Sequence, residues 1–109
     1  MQDMIEKLFN SIEKLRATID KRYDISTKRA TAEYLYRERL GREMAAAKAD
    51  GMAATSLYNY CRGLPEVAKL REDRDILVAQ EDYLTEMIFY WRTCIKVYEN
   101  QANAERKGL

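Results

Sequence analysis

The side chains that could do chemistry in this chain are carboxylates and two thiols, because the sequence contains no histidine. Without histidine, Ser-His-Asp and Cys-His catalytic groups are excluded, and so is the commonest zinc ligand. Cys61 and Cys94 lie far apart and form no Cys-x-x-Cys pair, so we interpret both as free packing thiols in a reducing compartment. The two common glycine-rich patterns that bind phosphate, GxxxxGK(S/T) and GxGxxG, do not occur in the sequence.

The densest carboxylate group consists of Glu72, Asp73 and Asp75. Helical all-α nucleotide pyrophosphohydrolases bind magnesium through clustered carboxylates, but here Arg71 and Arg74 interleave with the acids. Consecutive helical positions also point in different directions instead of converging on one face. The pattern is typical of a solvated charged surface, so we predict no enzyme activity, no cofactor and no metal ion.

Composition favours a single all-α domain over residues 1–109. Hydrophobic residues make up 47% and charged residues 34%, with only four glycines and one proline, which is a helix-forming mixture. The net charge of +1 gives no global reason to expect binding to nucleic acid or to a membrane. No apolar run is long enough to span a bilayer, and the first residues lack the features of a secretory signal, so we expect a cytoplasmic protein.

Helix signals divide the chain into three segments. Apolar residues spaced alternately by three and four predict a helix over about 3–49, with its stripe at Ile5, Leu8, Ile12, Leu15 and Ile19. Gly51 should end this helix in the left-handed conformation. A short connector helix over about 54–62 follows, and Pro65 begins a last helix over about 65–105.

The last helix carries two adjacent apolar stripes. The main seam comprises Val67, Leu70, Arg74, Leu77, Glu81, Leu84, Ile88, Trp91, Ile95, Tyr98 and Ala102. The second stripe comprises Ile76, Ala79, Tyr83, Met87, Tyr90, Cys94 and Val97. One partner helix cannot cover a face of this width. We therefore predict an antiparallel hairpin that dimerises into a four-helix bundle. Its expected interface with a second copy or another protein is Tyr83, Met87, Tyr90, Trp91 and Val97.

A turn near residues 50–64 sets the expected register of the hairpin, with Ile12 near Ala102 and Ile19 near Ile95. This register also places the basic stretch 28–42 beside the acidic stretch 72–86. The polar residues Arg37, Arg74 and Glu81 would then align the two helices. Arg74 would pair with Glu33 or Glu38, and Glu81 would pair with Arg37.

Two interaction modes stay open. Ala47, Gly51 and Leu57 have the spacing of a helix-turn-helix unit, which would turn Thr55, Tyr58, Asn59 and Arg62 towards DNA. The alternative function is therefore a DNA-binding accessory protein that uses residues 47–62. Eight tyrosines and one tryptophan are also typical of protein interfaces. Because the chain has no basic excess, we favour protein–protein interaction over nucleic acid.

The second half of the chain contains a recognisable set of residues: Gly51, Ala54, Thr55, Arg62, Gly63, Val67, Ala68, Leu70, Arg71, Arg74, Asp75 and Gln101. In these residues it resembles a group of short helical proteins from phages and prophages of Gram-positive bacteria. The resemblance implies a phage protein in the cytoplasm of a bacterial host. It would bind a protein of early phage DNA metabolism, or inhibit a host or defence protein.

Overall fold

The computed structural model describes residues 2–108, which form three α-helices and no β-strand. These are α1 (Gln2–Ala49), α2 (Ala54–Arg62) and α3 (Pro65–Arg106). The prediction of an all-α chain with two long helices is confirmed. The predicted helix limits differ from these by at most one residue. Within the described range, no helix is both long enough and apolar enough to cross a membrane.

The end of α1 is fixed by a glycine in the left-handed conformation. Gly51 has a φ of 91°, which a side chain would disfavour. Its N–H donates to the carbonyl of Lys48 at 3.0 Å, and the N–H of Met52 donates to the carbonyl of Ala47 at 3.1 Å. This pair of bonds satisfies carbonyls that the helix end would otherwise leave open. Gly41, in contrast, lies within α1 without interrupting it.

The chain forms two compact units, and α1 and α3 each contribute to both. We call Ile25–Ala79 the connector unit, because it contains α2. We call the other the terminal unit, which combines the part of α1 up to Asp24 with the part of α3 from Gln80 onwards.

In the connector unit the two long helices run antiparallel. Arg39 Nη2 donates to Glu66 Oε2 at 3.1 Å, and Arg74 Nη1 donates to Glu33 Oε2 at 3.1 Å, so rising numbers on α1 meet falling numbers on α3. The buried apolar side chains of the unit are Ile25, Tyr36, Leu57, Cys61 and Val67. Two of them belong to α2, which therefore packs one face inward.

In the terminal unit the facing rows follow the 3-4 spacing of an antiparallel helix pair. On α3 the half-buried row is Leu84, Ile88, Trp91, Ile95 and Tyr98, as the main seam predicted. On α1 the buried and half-buried row is Met4, Leu8, Ser11, Leu15, Thr18 and Arg22. Arg22 Nε donates to Thr85 Oγ1 at 2.8 Å, which joins the two helices directly.

The predicted register is wrong by about one heptad. In the contacts between Glu33 and Arg74 and between Arg22 and Thr85 the two residue numbers add up to 107, so Ile12 lies near the level of Ile95, not of Ala102. A 3-4 repeat looks the same after a shift of about seven residues, so the apolar pattern could not decide between the two registers. In the observed register α1 extends about two turns beyond the level at which α3 begins with Pro65. The connection through α2 returns the chain over this distance.

Candidate interaction surfaces

The polar residues predicted to align the helices do not form one group. Arg74 is the central one: its guanidinium lies 4.7 Å from the centroid of the Tyr36 ring and also pairs with Glu33 at 3.1 Å and Asp75 at 2.9 Å. Arg37 pairs with Glu33 on its own helix, at 2.6 Å, and its side chain is 76% exposed. Glu81 belongs to the terminal unit, where its carbonyl accepts a bond from the Thr85 hydroxyl at 3.0 Å. The predicted pairing of Arg74 with Glu33 is therefore observed.

The surroundings of Glu33 favour its ionised form. The pKa of Glu33 is lowered, first by the hydrogen bond from Arg37 and then by the hydrogen bond and positive charge of Arg74, while partial burial acts in the opposite direction. A carboxylate between two guanidinium groups is stabilised by both. The Arg74, Tyr36 and Glu33 contacts therefore hold α1 and α3 together and offer no reactive group.

In the terminal unit, an apolar stripe of α3 is left uncovered by α1. The α3 stripe consists of Tyr83, Met87, Tyr90, Cys94 and Val97. Tyr83 is 63% exposed, Tyr90 is 53% exposed and Val97 is 45% exposed, while Met87 and Cys94 are half-buried. The fifth predicted interface residue, Trp91, lies in the row that faces α1, and its ring meets that of Tyr90 edge-on at 4.8 Å.

A second open stripe lies on α1, and three of its residues, Ile5, Ile12 and Ile19, were predicted to face α3. The α1 stripe consists of Ile5, Phe9, Ile12, Arg16, Ile19 and Tyr23. Phe9 is 62% exposed and Tyr23 is 73% exposed. The predicted α1 stripe divides in the structure: Leu8 and Leu15 face α3, whereas Ile19 is exposed. The row of α1 that faces α3 contains the polar residues Ser11 and Thr18, so hydrophobicity does not mark it as the buried row.

A groove follows the middle of the α1 stripe. Its lining residues are Ile12, Leu15, Arg16, Ile19 and Asp20, and it has a volume of about 250 Å³. The isoleucines supply an apolar floor, and Arg16 and Asp20 place one charge of each sign at its edge. A groove of this kind suits side chains of another helix.

The two stripes lie on opposite faces of the terminal unit. Each residue of the α1 stripe follows a residue of the α3-facing row, as Ile12 follows Ser11. Each residue of the α3 stripe precedes a residue of the α1-facing row, as Tyr90 precedes Trp91. One step turns an α-helix by about 100°, and the two helices run in opposite directions, so the two offsets lead to opposite faces. A partner on one stripe therefore leaves the other accessible.

The residues proposed for DNA contact lie on the outer face of α2. Thr55, Tyr58, Asn59 and Arg62 are exposed, and the guanidinium of Arg62 lies 5.9 Å from the centroid of the Tyr58 ring. Leu57 and Cys61 are buried and hold the helix in place. The helix is thus anchored by one face and leaves its polar and aromatic face accessible.

Among residues 2–108, no three cysteine, aspartate or glutamate side chains converge as ligands for a metal ion would. Comparison of the chain with protein-family models, with curated proteins and with solved structures finds no match. The resemblance to phage proteins therefore stays a prediction.

Proposed function

We propose that this protein acts without catalysis, through protein–protein contacts of its helical surfaces. In this proposal the functional unit is a homodimer joined by the α3 stripe. The observation that carries the proposal is the exposure of Tyr83, Tyr90 and Val97 on one stripe with regular 4-3 spacing. Tyrosine is enriched at protein interfaces because it combines a large apolar ring with a polar tip. A second pair of helices would cover this stripe and complete a four-helix bundle.

An antiparallel contact between the two α3 helices fits the stripe best. With Tyr90 at the two-fold axis, Tyr83 of one copy would lie across from Val97 of the other. Charges at the outer edge of the stripe favour the same direction. Glu86 flanks its first half, with Asp82 one row farther out, whereas Thr93 and Asn100 flank its second half, with Lys96 one row farther out. An antiparallel pair places Glu86 near Thr93 and Asp82 near Lys96 of the other copy, while a parallel pair would place Glu86 beside its own copy.

In the phage setting that the resemblance implies, the dimer would present its remaining surfaces to one further protein. That protein would belong to early phage DNA metabolism, or it would be a host or defence protein that the dimer inhibits. Both roles require binding surfaces rather than a reactive centre, and the open helical stripes supply such surfaces.

Engineered cysteines test this dimer directly. In a chain with Cys94→Ser, Tyr90→Cys should form a disulfide-linked dimer under mild oxidation, because residue 90 meets its own copy at the axis. Val97→Cys should cross-link poorly by itself but well when mixed with Tyr83→Cys, since the antiparallel register pairs these two positions. Tyr34→Cys is the matched control, because Tyr34 is a tyrosine of the connector unit that is at least as exposed as Tyr90. Equal cross-linking at residues 34 and 90 would contradict the proposal.

DNA binding by α2 is the second candidate, favoured by the joint exposure of Thr55, Tyr58, Asn59 and Arg62 on an anchored helix. It requires binding that weakens steeply with salt and depends on these side chains. The test is a titration of labelled duplex DNA with wild-type protein and with a Tyr58→Ala/Asn59→Ala/Arg62→Ala variant at low salt. Loss of binding in the folded variant supports this function, and absence of wild-type binding at low salt excludes it.

A further inference from the structure

We draw no further inference here: the strongest candidate, the exposed apolar patch that the α1 stripe forms on the terminal unit, is bordered by charges of both signs, and nothing in the structure shows what covers it.

Discussion

The guanidinium of Arg74 on α3 lies 4.7 Å from the centroid of the buried Tyr36 ring on α1. A cation over an aromatic face is attracted by the electron density of the ring, and the attraction grows where water is excluded. Arg74 also bridges from its own helix to Glu33 of α1, so one side chain supplies two contacts between the long helices. In the connector unit it is a main determinant of how α1 and α3 align.

Replacement of Arg74 by alanine should destabilise the protein by about 1–2 kcal/mol, because the cation–π contact and the ion pair are lost together. Arg74→Lys should recover only part of this, since an ammonium group cannot pair in the same planar way. Urea unfolding measures the free energies. Arg37→Ala is the control and should change stability by less than about 0.5 kcal/mol, because Arg37 is largely exposed. Equal losses at positions 37 and 74 would contradict the central role of Arg74.

The charge of Glu33 should appear in the acid stability of the protein. Its pKa is lower in the folded state than in the unfolded chain. Its contribution is therefore complete above the unfolded value of about 4.3 and disappears as the pH falls through the folded value. The difference in unfolding free energy between wild type and Glu33→Gln should be constant above about pH 5.5 and shrink in acid. A difference that grows on acidification would show that the carboxylate is not stabilised by Arg37 and Arg74.

Two glycines of the first helix and its end should respond in opposite ways to alanine. A Cβ at Gly41 meets no atom within 4 Å, and the residue has helical geometry, so Gly41→Ala should stabilise the protein by about 0.5–1 kcal/mol. Gly51→Ala should destabilise it by about 1–2 kcal/mol, because Gly51 has a positive φ. Thermal unfolding midpoints should move in opposite directions. A shift in the same direction for both would contradict the assigned end of α1.

The polar contact between Arg22 and Thr85 should cost stability when only one partner is removed. Thr85→Val deprives the Arg22 Nε of its acceptor and should destabilise the terminal unit by about 1 kcal/mol. An Arg22→Leu/Thr85→Val double variant should recover this loss, because a well-packed apolar pair replaces both groups. Denaturant midpoints of the single and double variants test the coupling. A double variant less stable than Thr85→Val would show that the two side chains act independently.

The helices of this fold could be predicted from the sequence because their signals are local. Gly51 and Pro65 mark the ends, and the apolar repeat through Leu84, Ile88 and Trp91 marks the buried face of α3. The register could not be predicted in the same way. A heptad repeat is unchanged by a shift of seven residues, and the ion pair between Arg39 and Glu66 that excludes the alternative becomes apparent only in three dimensions.

The candidate surfaces were partly predictable. Tyr83, Tyr90 and Val97 were predicted as interface residues because the one partner helix of a hairpin can cover the main seam of α3 but not a second stripe beside it. The face of the α1 stripe was predicted wrongly, because the row that faces α3 includes the polar residues Ser11 and Arg22. The apolar Ile12 and Ile19, which lie beside that row, were therefore assigned to it. Hydrophobic spacing alone does not distinguish a buried row from an exposed one when polar residues occupy the buried row.

The most direct test of the proposed dimer is the mass of the protein in solution by sedimentation equilibrium, for wild type, Tyr83→Glu/Tyr90→Glu and the control Tyr34→Glu. We expect wild type and the control to sediment with twice the 12.8 kDa of one chain at micromolar concentration. The Tyr83→Glu/Tyr90→Glu variant should sediment with the mass of one chain and keep its helical circular dichroism, because burying two carboxylates at the α3 stripe opposes only association. A wild-type mass of one chain, or a dimer that survives in the double variant, would contradict the proposal.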